Sequence, residues 1–180
     1  ELIDAFEGAV DGLHDELSKF QRPLRPVEQT AFQSSLKTRI QQVSRDAAKA
    51  KVELPEGFAF GMPRYISTLP AIEACPLLDY QLDAISEFSS VMIAKGISAI
   101  ISVERDELPI ESGAVPADEE KEGAEAVIIE RYPVNFTIRT RPEGLRQLMN
   151  AVSNPDPGAP FHIVRLVRIA NEQQVGPPRD

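Results

Sequence analysis

The 180-residue chain contains no tryptophan, one cysteine and two histidines, and only 6% of its residues are aromatic. Because Cys75 is the only cysteine, the chain cannot form an intramolecular disulfide or a metal site built from several thiolates. We interpret Cys75 as a small buried residue, and His14 and His162 as surface or structural histidines. The sequence around His14, His-Asp-Glu-Leu, does not fit the His-Glu-x-x-His pattern of zinc proteases.

Long apolar runs and excess positive charge are also missing. No stretch approaches the roughly 18–20 apolar residues that a membrane-spanning helix needs, and no signal peptide is visible. The chain begins at Glu1 inside a helical pattern, so we expect a trimmed N terminus. The formal net charge is −9, and the phosphates of nucleic acids repel such a chain, so we expect no nucleic-acid partner.

Motifs for catalysis or cofactor binding are equally scarce. The acidic run 118–122 lacks the ligand spacing of a calcium loop. Carboxylates at Asp106, Glu107 and Glu111 could converge at a strand end, but nothing in their spacing specifies acid–base chemistry. The aromatic run 57–60 resembles part of an RNA-recognition motif, but it lies near the first strand and not on the third. We therefore predict no enzyme: no catalytic, cofactor-binding or metal-binding residues, and no cofactor.

The N-terminal segment predicts a helical arm. Apolar residues recur at steps of about three and four, which gives a narrow stripe close to a coiled-coil seam. Pro23 and Pro26 end this helix, and a second amphipathic helix runs from about residue 27 to 50. Such a stripe buries apolar area only against another helix, either the chain's own second helix or a partner's. Its residues form our candidate protein interface: Leu2, Phe6, Leu13, Leu17 and Phe20.

The remaining chain alternates strands and helices. Its periodicity predicts strands over 52–60, 97–104, 127–139 and 161–170, helices over 77–95 and about 140–153, and a mobile acidic segment over 111–125. This β-α-β-β-α-β order predicts an α+β, ferredoxin-like antiparallel sheet behind two N-terminal helices. We divide the chain into a helical arm (1–50), a ferredoxin-like domain (51–172) and a flexible tail (173–180).

Short matches at consistent spacing carry a resemblance to a known family. They are Ala31-Phe32-Gln33 with Leu36-Lys37-Thr38, Glu107-Leu108-Pro109-Ile110-Glu111, and Arg168-Ile169-Ala170-Asn171-Glu172 before Pro177-Pro178. Over about residues 20–178, the chain resembles the pilus-locus proteins of Akkermansia muciniphila and its relatives in Verrucomicrobia.

The resemblance implies similarity to PilO/GspM-type inner-membrane components of type IV pilus and type II secretion systems. It implies a non-catalytic scaffold on the periplasmic side of the bacterial cell envelope, anchored by an N-terminal transmembrane helix that is missing here. The implied partners are a second copy of the chain, a PilN-type component and other pilus or secretion assembly proteins. An alternative function is a small-ligand binding or sensory domain that uses the open sheet face, which predicts a deep apolar pocket.

Overall fold

The computed structural model describes residues 8, 10, 12, 23–112, 131–154 and 162–171, the first three of them helical. The longer described elements are three helices and two strands: α1 (Gln29–Ala50), α2 (Cys75–Ala94), β1 (Ala99–Arg105), β2 (Val134–Arg139) and α3 (Pro142–Ser153). Short 3-10 helices occur at Pro63–Ile66, Ile72–Ala74 and Pro109–Ser112. This mixture of helices and antiparallel strands confirms the predicted α+β class.

Helix α1 follows its predicted apolar stripe. The buried side chains are Phe32, Leu36, Val43 and Ala47. Ile40, in the middle of the stripe, is half-buried. The helix ends where Lys51 adopts a left-handed backbone, from which its N–H donates to the carbonyl oxygens of Ala47 and Ala48.

Helix α2 packs against α1 to form the centre of the core. It begins at Cys75 with Pro76 in its first turn, where proline's missing N–H would have no partner within the helix. Gly96 follows the helix with a φ of 76°, the left-handed backbone that helix ends favour. The largest wholly buried side chains come from both helices, from the loop between them and from β1: Phe32, Phe60, Leu36, Met62, Leu78, Leu82, Met92 and Ile100.

The sheet has two antiparallel strands. Part-way along β1, an irregularity interrupts the alternation between side chains that face the core and side chains that face solvent. Ile100 pairs with Ile138, whereas beyond the irregularity Val103 pairs with Phe136. Ile101 is the extra residue of this β-bulge, and its side chain is 47% exposed. The alternation predicted for 97–104 therefore holds only on either side of the bulge. Strand β2 keeps its predicted alternation, with Val134, Phe136 and Ile138 half-buried.

Two of the four predicted strands are wrong where the structure describes them. Of residues 52–60, only Glu53 makes a strand contact, a single parallel bridge to Ala99. Phe60 and two glycines in this loop take left-handed backbone conformations, which end any extended run. Residues 162–170 of the predicted last strand have no regular structure and no strand partner. The described residues therefore do not complete the four-stranded, ferredoxin-like sheet.

Helix α3 lies with its first turn against the C-terminal end of α2. A Cβ atom on Gly144 would lie 2.5 Å from the Thr140 Oγ1 and 3.2 Å from the Gly96 carbonyl oxygen. A side chain at position 144 would therefore push the two elements apart. One turn later Leu148 is buried and joins the core that α1 and α2 form.

Candidate functional site

The predicted interface lies in a part of the chain that the structure does not describe. It comprises Leu2, Phe6, Leu13, Leu17 and Phe20, and its assignment stays a prediction. Residues 113–130, which include most of the predicted acidic segment, also lie outside the described residues. The described residues form three other features that bear on function: a buried ion pair, an acidic groove and an exposed apolar segment.

A buried ion pair joins the end of β1 to the 3-10 helix that follows it. The Arg105 Nη2 lies 2.5 Å from the Glu111 Oε1, and the Nη1 lies 2.7 Å from the Oε2. The guanidinium and the carboxylate thus meet in the two-pronged geometry that gives the strongest such pairs. The side chains of Arg105 and Glu111 are 4% and 0% exposed. The prediction that the mobile acidic segment begins at residue 111 is therefore wrong for Glu111, which this pair fixes in place.

Neighbouring groups satisfy most of the remaining polar atoms of the pair. The Tyr65 hydroxyl donates to the Glu111 Oε1 at 2.5 Å, and the Leu108 backbone N–H donates to the Oε2 at 2.6 Å. The Arg105 Nη1 also donates to the Gln81 Oε1 of α2 at 3.3 Å, whereas its buried Nε has no hydrogen-bond partner among the described residues. We call this set of five residues the Glu111 cluster. It ties β1, α2 and two connecting segments together.

Gly61 allows the loop before Tyr65 to lie directly on β1. Its φ is +75°, and a Cβ atom there would lie 3.3 Å from both the Arg105 Cγ and the Val103 carbonyl oxygen. The close approach brings the 3-10 helix Pro63–Ile66 over the end of the strand. The Tyr65 ring is held there by Phe32 of α1, which meets it edge-on with ring centroids 5.9 Å apart.

The groups of the Glu111 cluster shift one another's pKa values. Burial alone would raise the pKa of Glu111, but the hydrogen bonds from Arg105, Tyr65 and the Leu108 N–H lower it below its ordinary value. Burial alone would lower the pKa of Arg105, but the hydrogen bond and charge of Glu111 raise it. Burial, with the hydrogen bond and charge of Glu111, raises the pKa of Tyr65 to about 12. At neutral pH, Glu111 is therefore a carboxylate and Tyr65 a neutral donor.

The Glu111 cluster is built to hold structure. A general acid or base needs a pKa near the working pH, and the pKa shifts of Glu111 and Tyr65 move both groups away from neutrality. Asp106 and Glu107, which were predicted as carboxylates that could converge with Glu111, are exposed and lie outside the cluster. Sequence reasoning missed Arg105 because the predicted strand ended at residue 104, whereas β1 extends to Arg105.

An acidic groove lies between the segment before α1 and the first turns of α2. Its apolar walls include Leu24, Pro76 and Tyr80, and no residue of β1 or β2 lines it. The Arg25 Nη2 lies 3.3 Å from the Asp83 Oδ2, and Arg39 of α1 holds the other oxygen of that carboxylate. Burial, and next the charge of Asp83, raise the pKa of the half-buried Asp79 in the same groove. The Asp83 carboxylate is therefore already occupied by two arginines of the chain itself.

An exposed apolar segment runs from residue 163 to 169. Its most exposed side chains are Ile163 at 68%, Leu166 at 69% and Ile169 at 78%. The segment leaves the fold at His162, whose ring lies 5.0 Å from that of Phe88 in α2. This contact agrees with the structural role expected for that histidine. Contiguous exposed apolar residues mark interaction sites in soluble proteins.

Cys75 lies wholly inside the fold, as predicted. Its thiol donates to the Ala71 carbonyl oxygen at 3.3 Å, and burial, with the charges of Glu28 and Glu73, raises its pKa. Within the described parts of the chain, no group of three or more His, Cys, Asp or Glu side chains could hold a metal ion. No helix in those parts is long and apolar enough to cross a membrane.

Comparison with models of protein families gives a match for this chain. A family model described as pilus-like matches residues 1–180, which is the whole chain. The chain belongs to this pilus-like family. The family resemblance that the sequence indicated is therefore confirmed, and the protein is pilus-associated. Comparison with curated proteins gives no match.

Solved structures from Akkermansia muciniphila share the fold of this pilus-like protein. A crystal structure from that organism is 26% identical, with a TM-score of 0.78 over 94% of this chain and 84% of the other. A second structure, described as lacking its transmembrane region, is 24% identical, with a TM-score of 0.75 over 90% and 87%. A third structure, described as a core domain from the same organism, is 24% identical, with a TM-score of 0.66 over 79% of each chain.

Proposed function

We propose that this chain is a non-catalytic scaffold module of a type IV pilus-like or type II secretion-like assembly complex, acting through protein–protein contacts. The pilus-like match over residues 1–180 carries the proposal. The Glu111 cluster supports it, because Glu111 and Arg105 satisfy each other inside the fold and present no reactive group to a substrate. The exposed apolar segment 163–169 supports it too, since it offers a contact surface.

The proposal includes a position in the cell and a set of partners. The domain would lie on the periplasmic side of the envelope, held by an N-terminal transmembrane helix like the region removed from one related protein. It would form a homodimer, or a heterodimer with a PilN-type component. The N-terminal stripe would supply the contact, because its apolar residues repeat at coiled-coil spacing.

Sedimentation velocity of the chain tests the proposed contact. We expect concentration-dependent dimers, and we expect Leu13→Glu to weaken self-association by at least about tenfold, because it places a charge in a helix–helix seam. The matched control is Ser18→Glu, which adds the same charge on the opposite side of the predicted helix, given 3.6 residues per turn. The control should sediment as the unsubstituted chain does.

Two results would remove support for this function. The first is a chain that stays monomeric at every concentration. The second is a full-length protein that, after cross-linking in cells, captures no pilus or secretion component. Both together would overturn the scaffold proposal, whereas dimers that ignore Leu13→Glu would reject only the N-terminal stripe as their contact.

A further inference from the structure

The exposed apolar segment 163–169 carries a more specific inference. We infer that this segment is a docking surface for an extended, acidic stretch of a partner protein, which adds to it as a β-strand. The inference deepens the proposed function, because it assumes that the chain works through protein contacts, and it assigns the chemistry of one partner. It does not involve the N-terminal stripe.

The backbone of this segment is available for strand pairing. No backbone hydrogen bond joins residues 163–171 to any other residue that the structure describes. Unpaired N–H and C=O groups in a segment rich in β-branched residues are the usual template for strand addition. The sequence of residues 163–169, Ile-Val-Arg-Leu-Val-Arg-Ile, has the high strand propensity that predicted a strand here.

Side-chain exposure points in the same direction. Val164 and Val167 are 43% and 48% exposed, so the two valines also present apolar surface in addition to the two isoleucines and Leu166. A partner strand would cover this apolar area and satisfy the backbone at the same time. The contact with Phe88 at His162 fixes the start of the segment beside α2, so the surface is presented from a defined place.

Charge selects an acidic partner. Arg165 and Arg168 are exposed within the segment, and neither forms an ion pair with a described residue. Six arginines and one glutamate give the described residues 131–154 and 162–171 a formal charge of +5, in a chain whose total is −9. In a strand, these two arginines would point to opposite faces. A partner strand whose acidic residues stand three positions apart among β-branched ones would place a carboxylate opposite each arginine.

Peptide binding to the full chain tests the inference. The probe is a fluorescein-labelled ten-residue peptide with Glu at every third position among Val, called the Glu–Val peptide, and its binding is followed by fluorescence anisotropy. We expect saturable binding, at least about tenfold weaker for a Lys–Val peptide because like charges would then meet. A Glu–Val peptide methylated on every backbone nitrogen should not bind, because it cannot donate backbone hydrogen bonds to a strand from either edge.

Two double variants separate strand docking from general attraction. Arg165→Glu with Arg168→Glu should weaken binding of the Glu–Val peptide by at least about tenfold. The matched control, Arg141→Glu with Arg146→Glu, makes the same charge change on exposed residues around the start of α3 and should leave binding within about twofold. Equal loss in both, or equal binding of the methylated peptide, would overturn the inference.

The remaining outcomes distinguish this inference from the proposed function. Leu13→Glu should leave peptide binding unchanged, so a failed dimer test does not decide the peptide test. If the peptide does not bind but the Arg165→Glu, Arg168→Glu variant loses self-association, the segment docks a second copy and the acidic partner is wrong. If the peptide does not bind and the Arg165→Glu, Arg168→Glu variant self-associates as the unsubstituted chain does, the segment is no docking surface.

Discussion

Replacing Arg105 with methionine tests how much the Glu111 cluster contributes to stability. The change keeps an unbranched side chain but leaves Glu111, which is 0% exposed, without its counter-charge. Removing one partner of a buried ion pair costs about 3–5 kcal/mol. Domains of this kind are stable by about 5–15 kcal/mol in total, so the variant should lose a large share of its free energy of unfolding.

Urea unfolding followed by far-ultraviolet circular dichroism measures this loss, since the chain has no tryptophan for fluorescence. The control is Arg146→Met, because Arg146 is 68% exposed and pairs with Glu143 on the surface of α3. An exposed pair contributes about 0–1 kcal/mol. If Arg105→Met costs no more than the control, the reasoning about the buried pair is refuted.

A double variant separates the charge from the packing. Arg105→Met with Glu111→Leu removes both charges, and apolar replacement of a whole buried pair is often neutral or stabilising. We therefore expect the double variant to be more stable than Arg105→Met alone. A double variant that is destabilised by the sum of the two single changes would mean that the two side chains act independently.

The same structure supports four further predictions. Because the pKa of Glu111 is lowered in the folded state, the carboxylate stabilises the fold above its ordinary pKa of 4.5, and this stabilisation is lost as the pH falls through the lowered value. Acid should therefore reduce the free energy of unfolding of the unsubstituted chain more than it reduces that of the Glu111→Gln variant. The pKa of Tyr65 is raised, so its contribution is complete below 10.0 and is lost between 10.0 and about 12, and urea midpoints there should fall more steeply than in Tyr65→Phe. Gly144→Ala should destabilise by about 1–3 kcal/mol through overpacking, measured against the exposed control Gln147→Ala. The buried thiol of Cys75 should react with Ellman's reagent only after unfolding, and rapid reaction of the native chain would contradict its burial.

Local periodicity was sufficient to predict the helices and the paired strands. The stripe from Phe32 to Ala47 lies in α1 as expected, because four apolar residues at helical spacing can be buried together only on a helix. Helix α2 and strand β2 followed their patterns for the same reason. Gly96 was also placed correctly, since a helix end with a left-handed residue favours glycine.

Features that depend on distant contacts could not be predicted in this way. The strand predicted over 52–60 fails because its turns bring Gly61 down onto β1, a tertiary contact that no local pattern records. The segment 162–170 has strand propensity, but propensity does not supply the neighbouring strand that pairing requires. Glu111 looked like the start of an acidic loop because its partners depend on tertiary structure: the 3-10 helix Pro109–Ser112 brings it back to Arg105, and Tyr65 comes from a loop 46 residues away.

The bulge at Ile101 makes β1 tolerant of the loss of one residue at that position. The side chain of Ile101 is 47% exposed and contributes little packing, so many residues could replace it. Deleting the residue would place Ser102 directly after Ile100, and the pairs from Ser102–Thr137 to Arg105–Val134 would keep their partners in a regular ladder. Val103 and Arg105 would then stay on the same face as Ile100. Relatives of this chain can therefore vary or lose that position without changing which later side chains of the strand face inward.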